Sequence, residues 1–209
     1  DAEISLEFAI VKEEANFTFP GLKKAKKLTV TQGYNANLAI ISFEDLEEVT
    51  GAMSLQEGSY VNNVVQPVQF PKLVKVGSFT YGGVLKTLSL PALQEVTGVC
   101  SIGTCFTNGV PAMLESINLP ALKRVGTLKL TIGGATGSNP NTVITNLDCF
   151  ENLESAESVY IEKQMGLISY KGLAKVIAGL NDAEAWEVIG NAFNPTFEEV
   201  KAGKLEKEE

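Results

Sequence analysis

FPGLKKAKKLTV (19–30), FEDLEEVTGAMSL (43–55), FPKLVKVGSFTY (70–81), LPALQEVTGVCSI (90–102), LPALKRVGTLKL (119–130) and FENLESAESVYI (150–161) are six versions of one phrase. Each opens on Phe or Leu and places a leucine three residues later: Leu22, Leu46, Leu73, Leu93, Leu122 and Leu153. A small apolar residue follows after three more, at Ala25, Val49, Val76, Val96, Val125 and Ala156. A pair of apolar residues two apart closes the phrase, as in Leu28/Val30, Phe79/Tyr81 and Leu128/Leu130. The copies start 20 to 31 residues apart. A unit this short cannot bury its apolar face without neighbours on both sides, so the repetition predicts a repeat β-solenoid.

Upstream of the copies lie further short apolar runs: Leu38/Ile41/Phe43, Val65/Val68/Phe70, Leu85/Leu88/Leu90, Leu114/Ile117/Leu119 and, with one residue inserted, Ile144/Leu147/Phe150. The apolar pairs two apart read as strands whose alternate residues point inward. Pro20, Pro71, Pro91 and Pro120 follow one such strand, where proline ends pairing and fixes a corner. Gly51, Gly77, Gly98 and Gly126 precede the next, at a second expected corner that positive φ would suit. Equivalent strands then stack into parallel sheets, and six turns at about 4.8 Å each give a stack of roughly 30 Å. Every inward Leu or Phe is core on this reading.

The expected organisation is a single domain over 1–209. Residues 1–18 supply an N-terminal strand, ISLEFAIV, that caps or joins the first coil; 19–165 hold about six repeats; 166–209 form a C-terminal cap. In that last segment Leu173, Val176, Ile177 and Leu180 have helical spacing, which predicts a helix over about 170–180. AWEVIG (185–190) reads as a strand. Asn194-Pro195 opens a second helix, with Thr196/Glu199 as an alternative capping box and Gly203 as its stop. Caps are needed because a solenoid exposes strand edges at its ends.

Composition narrows the function classes. The chain has 209 residues, a formal net charge of −8, 44% hydrophobic and 20% charged residues. The Lys23, Lys24, Lys26, Lys27 cluster is short and reads as a solvated face. Nucleic acid is an unexpected partner, since phosphate neutralisation needs a broad basic footprint, and an anionic membrane surface is disfavoured likewise. No apolar stretch approaches 18 residues, so no membrane insertion of this segment is expected. There is no histidine, which removes Ser-His-Asp, Cys-His and H-E-x-x-H chemistry. TIGGATGSNP (131–140) is Gly-rich without phosphate-loop spacing and reads as a surface loop. Cys100 occupies the inward position of Met53, Phe79 and Leu128; a buried thiol is one reading and a bridge to Cys105 the other. No cofactor or metal is expected. Glu44, Asp45, Glu47, Glu48, Glu95, Glu115, Asp148 and Glu151 are outward carboxylates, read as solubilising; a polysaccharide-cleaving site would need two of them facing one groove.

Between the last apolar residue of one coil and the first of the next, the chain inserts 7, 9, 3, 11 and 13 residues, all at one phase of the repeat. These segments are rich in Gly, Asn, Thr and Ser and nearly free of charge. Variable loops along one side are where solenoids commonly bind. The candidate ligand-binding residues are Tyr34, Asn37, Tyr60, Asn62, Phe106, Asn108 and Asn139, while the phase of Tyr81 makes it core. Tolerated surface insertion is the competing reading.

LPALQEVTGVCSI and FEDLEEVTGAMSL, with their shared L-x-x-V-x-G-x-Φ-x-Φ (Φ apolar), resemble the receptor L-domain type of leucine-rich repeat. The L-x-x-I-x-L-P-x-L-x-x-V-G of residues 114–126 is similar to the repeats of bacterial cell-surface leucine-rich proteins. The resemblance covers residues 19–161. It implies a right-handed parallel β leucine-rich-repeat solenoid, L-domain-like, with the small α/β C-terminal cap beside it. It also implies a secreted or cell-surface location, for which bacterial members commonly carry an N-terminal lipoprotein signal that this chain does not show. The implied role is binding or adhesion without catalysis, with a protein or glycan ligand. A structural module of a larger surface assembly is the alternative, and a polysaccharide-active enzyme a third. Neither family offers a fixed site motif that these positions match.

Overall fold

The computed structural model describes residues 2–10, 15–35, 39–57, 68–83, 87–104, 114–131 and 143–208. In chain order they form β1 (Ala2–Ile10), β2 (Ala15–Thr18), β3 (Lys24–Asn35), β4 (Ala39–Ser42), β5 (Glu48–Glu57), β6 (Lys75–Gly83) and β7 (Thr87–Ser89). There follow β8 (Glu95–Thr104), β9 (Ser116–Asn118), β10 (Arg124–Thr131), β11 (Ser155–Glu162), α1 (Ala174–Gly179), β12 (Trp186–Ile189) and α2 (Phe197–Lys201). The fold is a β-solenoid of about five turns. The six phrases supply β3, β5, β6, β8, β10 and β11, and the connections between these six strands are the turns. They lie side by side in one eight-stranded sheet, ordered β1-β3-β5-β6-β8-β10-β11-β12, with every neighbouring pair parallel.

Parallel register turns the apolar pairs into ladders. Leu28, Met53, Phe79, Cys100, Leu128 and Val159 lie in one row, and Val30, Leu55, Tyr81, Ile102, Leu130 and Ile161 in the next. None of the twelve is more than 2% exposed. The opening residues of the phrases stack too: the rings of Phe19 and Phe43 are 4.7 Å apart and those of Phe43 and Phe70 5.1 Å, both nearly parallel. The opposite side of the coil is made of short pieces, β2 with β4 and β7 with β9, extended by a bridge from Ser42 to Gln69. The chain turns at Pro20, Pro71, Pro91 and Pro120, as expected of residues that cannot donate to a ladder.

The glycines differ from expectation. Gly51, Gly77, Gly98 and Gly126 lie within β5, β6, β8 and β10, and none has positive φ; among the described residues the positive-φ glycines are Gly21, Gly190 and Gly203. What demands glycine is the neighbouring coil. A Cβ on Gly77 would sit 2.5 Å from the carbonyl oxygens of Thr50 and Gly51, and one on Gly126 2.7 Å from that of Gly98. The close approach accompanies a bulge. β5 and β8 carry one more residue than β6 and β10 between the conserved-phase valine and the next inward residue, so the register shifts at each junction. Gly77→Ala is therefore expected to destabilise by about 3 kcal/mol, because backbone rather than a movable side chain blocks the new methyl. An unchanged urea midpoint would show that the seam between coils is looser than described.

After β11 the pattern changes as the sequence predicts, with some adjustment. The helix expected over about 170–180 is a 3-10 turn, Lys171–Leu173, running into α1. β12 joins the sheet parallel to β11. Thr196 and Glu199 form a reciprocal capping box on α2: Glu199 N donates to Thr196 Oγ1 at 3.2 Å and Thr196 N to Glu199 Oε2 at 2.8 Å. Gly203, at φ 91°, follows the helix. Leu173, Val176, Ile177, Leu180, Trp186 and Val200 are buried. Lys201 Nζ donates to the carbonyls of Ile177, Ala178 and Leu180, which satisfies the C-terminal end of α1. Asn191 ties the segment to the sheet, donating to Ile161 O and Tyr170 Oη and accepting from Gln164 N.

At the other end β1 joins the stack as its first strand, parallel to β3. Among the described residues no helix is long and apolar enough to cross a membrane.

Candidate binding surface

Because period-two side chains alternate across a sheet, each ladder of inward residues implies a ladder of outward ones. At the start of the strands the outward row reads Lys24, Glu48, Lys75, Glu95, Arg124, Ser155. Charge alternates from strand to strand. Lys24 meets Glu48 at 2.6 Å, and Glu95 lies 3.0 Å from Lys75 and 3.9 Å from Arg124. The hydrogen bond to Lys24 holds the Glu48 carboxyl below its ordinary pKa, and the same bond raises Lys24. Exposed pairs of this kind add little stability. Their consequence is register, since a slip by one strand would oppose like charges.

Farther along the same face the character reverses. Ser5, Thr29, Ser54, Thr80 and Ser101 form a continuous row across five strands, each half-buried or exposed, at the parallel-strand spacing of about 4.8 Å. Lys129 and Tyr160 continue it. The next outward row opens on Glu7 and then runs uncharged through Thr31, Gln56, Gly82, Gly103 and Thr131. From 49 to 56, 76 to 83 and 96 to 104 the chain has no charged residue at all. Lys129 Nζ lies 4.9 Å from the centre of the Tyr160 ring, and Tyr160 pairs in turn with Glu187 on β12. Tyr160 Oη donates to Glu162 Oε2 at 2.9 Å, and that bond raises the phenol pKa. The face is thus a field of hydroxyls and backbone that passes into Lys129, the Tyr160 ring and Glu187. Its residues were legible as the middle position of each apolar pair, a position the sequence reading passed over.

The inserted segments leave from one edge of this face, because parallel strands all point their C-terminal ends the same way. Tyr34 lies in β3, which runs on to Asn35, so it belongs to a strand rather than to an inserted loop. The side chain of Tyr34 and all of Asn37, Tyr60, Asn62, Phe106, Asn108 and Asn139 lie outside the described residues. Tyr81 is core, 1% exposed.

On the opposite side of the coil a groove of about 180 Å³ lies beside β9, lined by Ser116, Ile117, Thr145, Asn146 and Cys149. Its origin is the residue inserted between Ile144 and Phe150. A 3-10 turn at Asp148–Phe150 takes up that length, and the Thr145 carbonyl accepts from Ile168 N and Ser169 N.

The outward carboxylates have partners in several cases. Asp45 accepts from Lys72 Nζ at 2.7 Å and from Gly21 N at 2.9 Å, and these bonds lower its pKa. Glu48 and Glu95 belong to the charge ladder. Each carboxyl whose pKa is shifted (Glu3, Asp45, Glu48, Glu199) is shifted down. Cys100 and Cys149 are free thiols, both pushed up to about 12 by burial; Cys105 lies outside the described residues. Among the described residues no group of three His, Cys, Asp or Glu is arranged to hold a metal ion.

Comparison of the chain with protein-family models, curated proteins and solved structures gives no match.

Proposed function

We propose that the protein is a non-catalytic binding or adhesion module of the leucine-rich, L-domain-like type, with residues 166–209 as its C-terminal cap. Its ligand lies on the outer face of the large sheet. The observation that carries this reading is the uncharged row Ser5, Thr29, Ser54, Thr80 and Ser101, beside a second row that is uncharged from Thr31 to Thr131 and followed by Lys129 and the Tyr160 ring. A repeating array of hydroxyls on a fixed sheet suits a neutral, polyhydroxylated, repeating ligand. A glycan therefore fits better than a charged protein surface. The inserted segments, which leave from the neighbouring edge, would frame such a ligand with Tyr60 and Phe106. An extracellular or cell-surface setting follows from the repeat resemblance and the glycan reading together.

The test compares wild type with Ser54→Ala/Thr80→Val/Ser101→Ala on an array of glycans and surface proteins. These substitutions remove hydroxyls and keep strand-compatible shapes. A glycan bound by wild type and at least tenfold more weakly by the variant, with melting within about 1 °C, is the expected result. A ligand bound equally by both would move the site off this face, and no glycan hit would contradict the reading.

A further inference from the structure

Asn-x-Ser/Thr, with x other than proline, occurs once in the chain, as Asn16-Phe17-Thr18. That spacing is the acceptor signal for N-linked glycosylation in a secreted protein, provided the asparagine lies at the surface. The fold meets the condition. Asn16 and Thr18 lie on β2, on the side of the coil opposite the large sheet, and both are exposed. β2 pairs in register with β4, Asn16 with Ile40 and Phe17 with Ile41. Ile41 is 0% exposed and Ile40 37%, so position 17 faces the core while positions 16 and 18 face out. The pleat of the strand sets that outward direction, whatever lies beside β2 in the stack.

The two side chains that the signal needs are also unengaged. No described residue bonds to the Asn16 side-chain amide or to the Thr18 hydroxyl. Asn194-Pro195-Thr196 supplies the contrast within the same chain. Proline fills its middle position, which abolishes the signal. Its asparagine is taken up locally: Asn191 N donates to Asn194 Oδ1 and Asn194 Nδ2 donates to Asn191 O, each at 2.8 Å. Its threonine caps α2, Thr196 Oγ1 accepting from Glu199 N. A bulky group on Asn194 would break the turn that leads into α2, whereas one on Asn16 displaces no described contact of that side chain.

We propose that Asn16 is a modification site that carries an N-linked glycan. The donor is a lipid-diphosphate-linked oligosaccharide, brought by an oligosaccharyl transferase. The Asn16 amide nitrogen forms a C–N bond to the anomeric carbon, and the C–O bond from that carbon to the diphosphate breaks. The lipid diphosphate leaves with the electron pair, and the amide gives up one proton to the transferase. The glycan then projects from the short-strand side, beside exposed Ile40, and leaves the outer face of the large sheet open. This inference rests on the extracellular setting proposed above and is independent of which ligand the sheet face takes.

The test takes the protein from its own cells, fractionated to show on which side of the membrane it lies, and reads the tryptic peptide of residues 13–23 by mass spectrometry. Cleavage after Lys12 and Lys23 leaves Asn16 as the one asparagine in that peptide. The peptide should carry a sugar mass that peptide-N-glycosidase removes, leaving an aspartate at position 16. In Thr18→Ala, expressed in the same cells, the modified peptide should fall by roughly tenfold or more, and in Thr18→Ser it should persist. Both variants should melt as wild type does, because Thr18 is exposed and its hydroxyl makes no described bond. An unmodified peptide from protein that has reached the cell exterior would overturn the proposal while leaving the extracellular reading intact. A sugar mass that survives Thr18→Ala would also overturn it. Protein confined to the cytosol would contradict the extracellular reading itself, and the proposal with it.

Discussion

Phe43→Ala is expected to lose about 3–5 kcal/mol of stability, the range for truncating a fully buried aromatic ring. Phe43 is 0% exposed and stacked on both faces, against Phe19 and Phe70. Removing its ring leaves a cavity that neither neighbour can close without shifting a whole coil, because each ring is fixed by its own turn. In a solenoid, moreover, the loss falls on two interfaces at once, since stability is approximately a sum of coil and nearest-neighbour terms. Urea unfolding should show a lower midpoint with little change in slope. Ile189→Ala, at a position 56% exposed on the last strand, should change stability by no more than about 0.5 kcal/mol. Similar losses for both would mean that the Phe row is not a core ladder.

Gly172→Ala is expected to be of comparable severity, about 3 kcal/mol or more, for the opposite reason. Gly172 is buried in the 3-10 turn that begins the C-terminal segment. An added Cβ would overlap the Leu147 carbonyl and crowd Asp148 N. Nothing there is a flexible side-chain tip, so the segment must lift. The single tryptophan reports on this event locally. Trp186 is 6% exposed, donates Nε1–H to Pro195 O at 3.0 Å and packs edge-on against Tyr170. Its emission should shift to the red in the variant while far-UV dichroism stays that of a sheet protein. A spectrum and midpoint identical to wild type would separate the C-terminal segment from the last coil.

The ladders, the proline corners, the first strand and the capping box at Thr196/Glu199 were legible because each depends on spacing within one stretch of chain. The glycines were misjudged because their requirement is not local. Gly77 is glycine on account of Thr50 and Gly51, a coil away, and only the stacked register brings those carbonyls within reach. The bulges have the same character. One extra residue between Val49 and Met53 is visible in the sequence, but its effect depends on the shorter span, Val76 to Phe79, lying beside it. The charge ladder and the hydroxyl row occupy fixed positions of the phrase and could have been read by aligning the outward positions as carefully as the inward ones. The groove beside β9 was half legible, since the inserted residue was noted and its consequence for strand pairing was not.

The central claim is that six phrases stack in register, so that residues far apart in sequence stand in one straight row. Nitroxides coupled through genetically encoded non-canonical residues at positions 5 and 129 leave the native cysteines untouched and sit on two outward positions of that row. Five strand spacings separate them, passing through Thr29, Ser54, Thr80 and Ser101. Pulsed dipolar spectroscopy should give a single narrow distribution centred near about 24 Å, five steps of the parallel-strand repeat. A distribution displaced by more than two strand spacings, or one without a defined maximum, would contradict the in-register solenoid and the continuous binding face built on it.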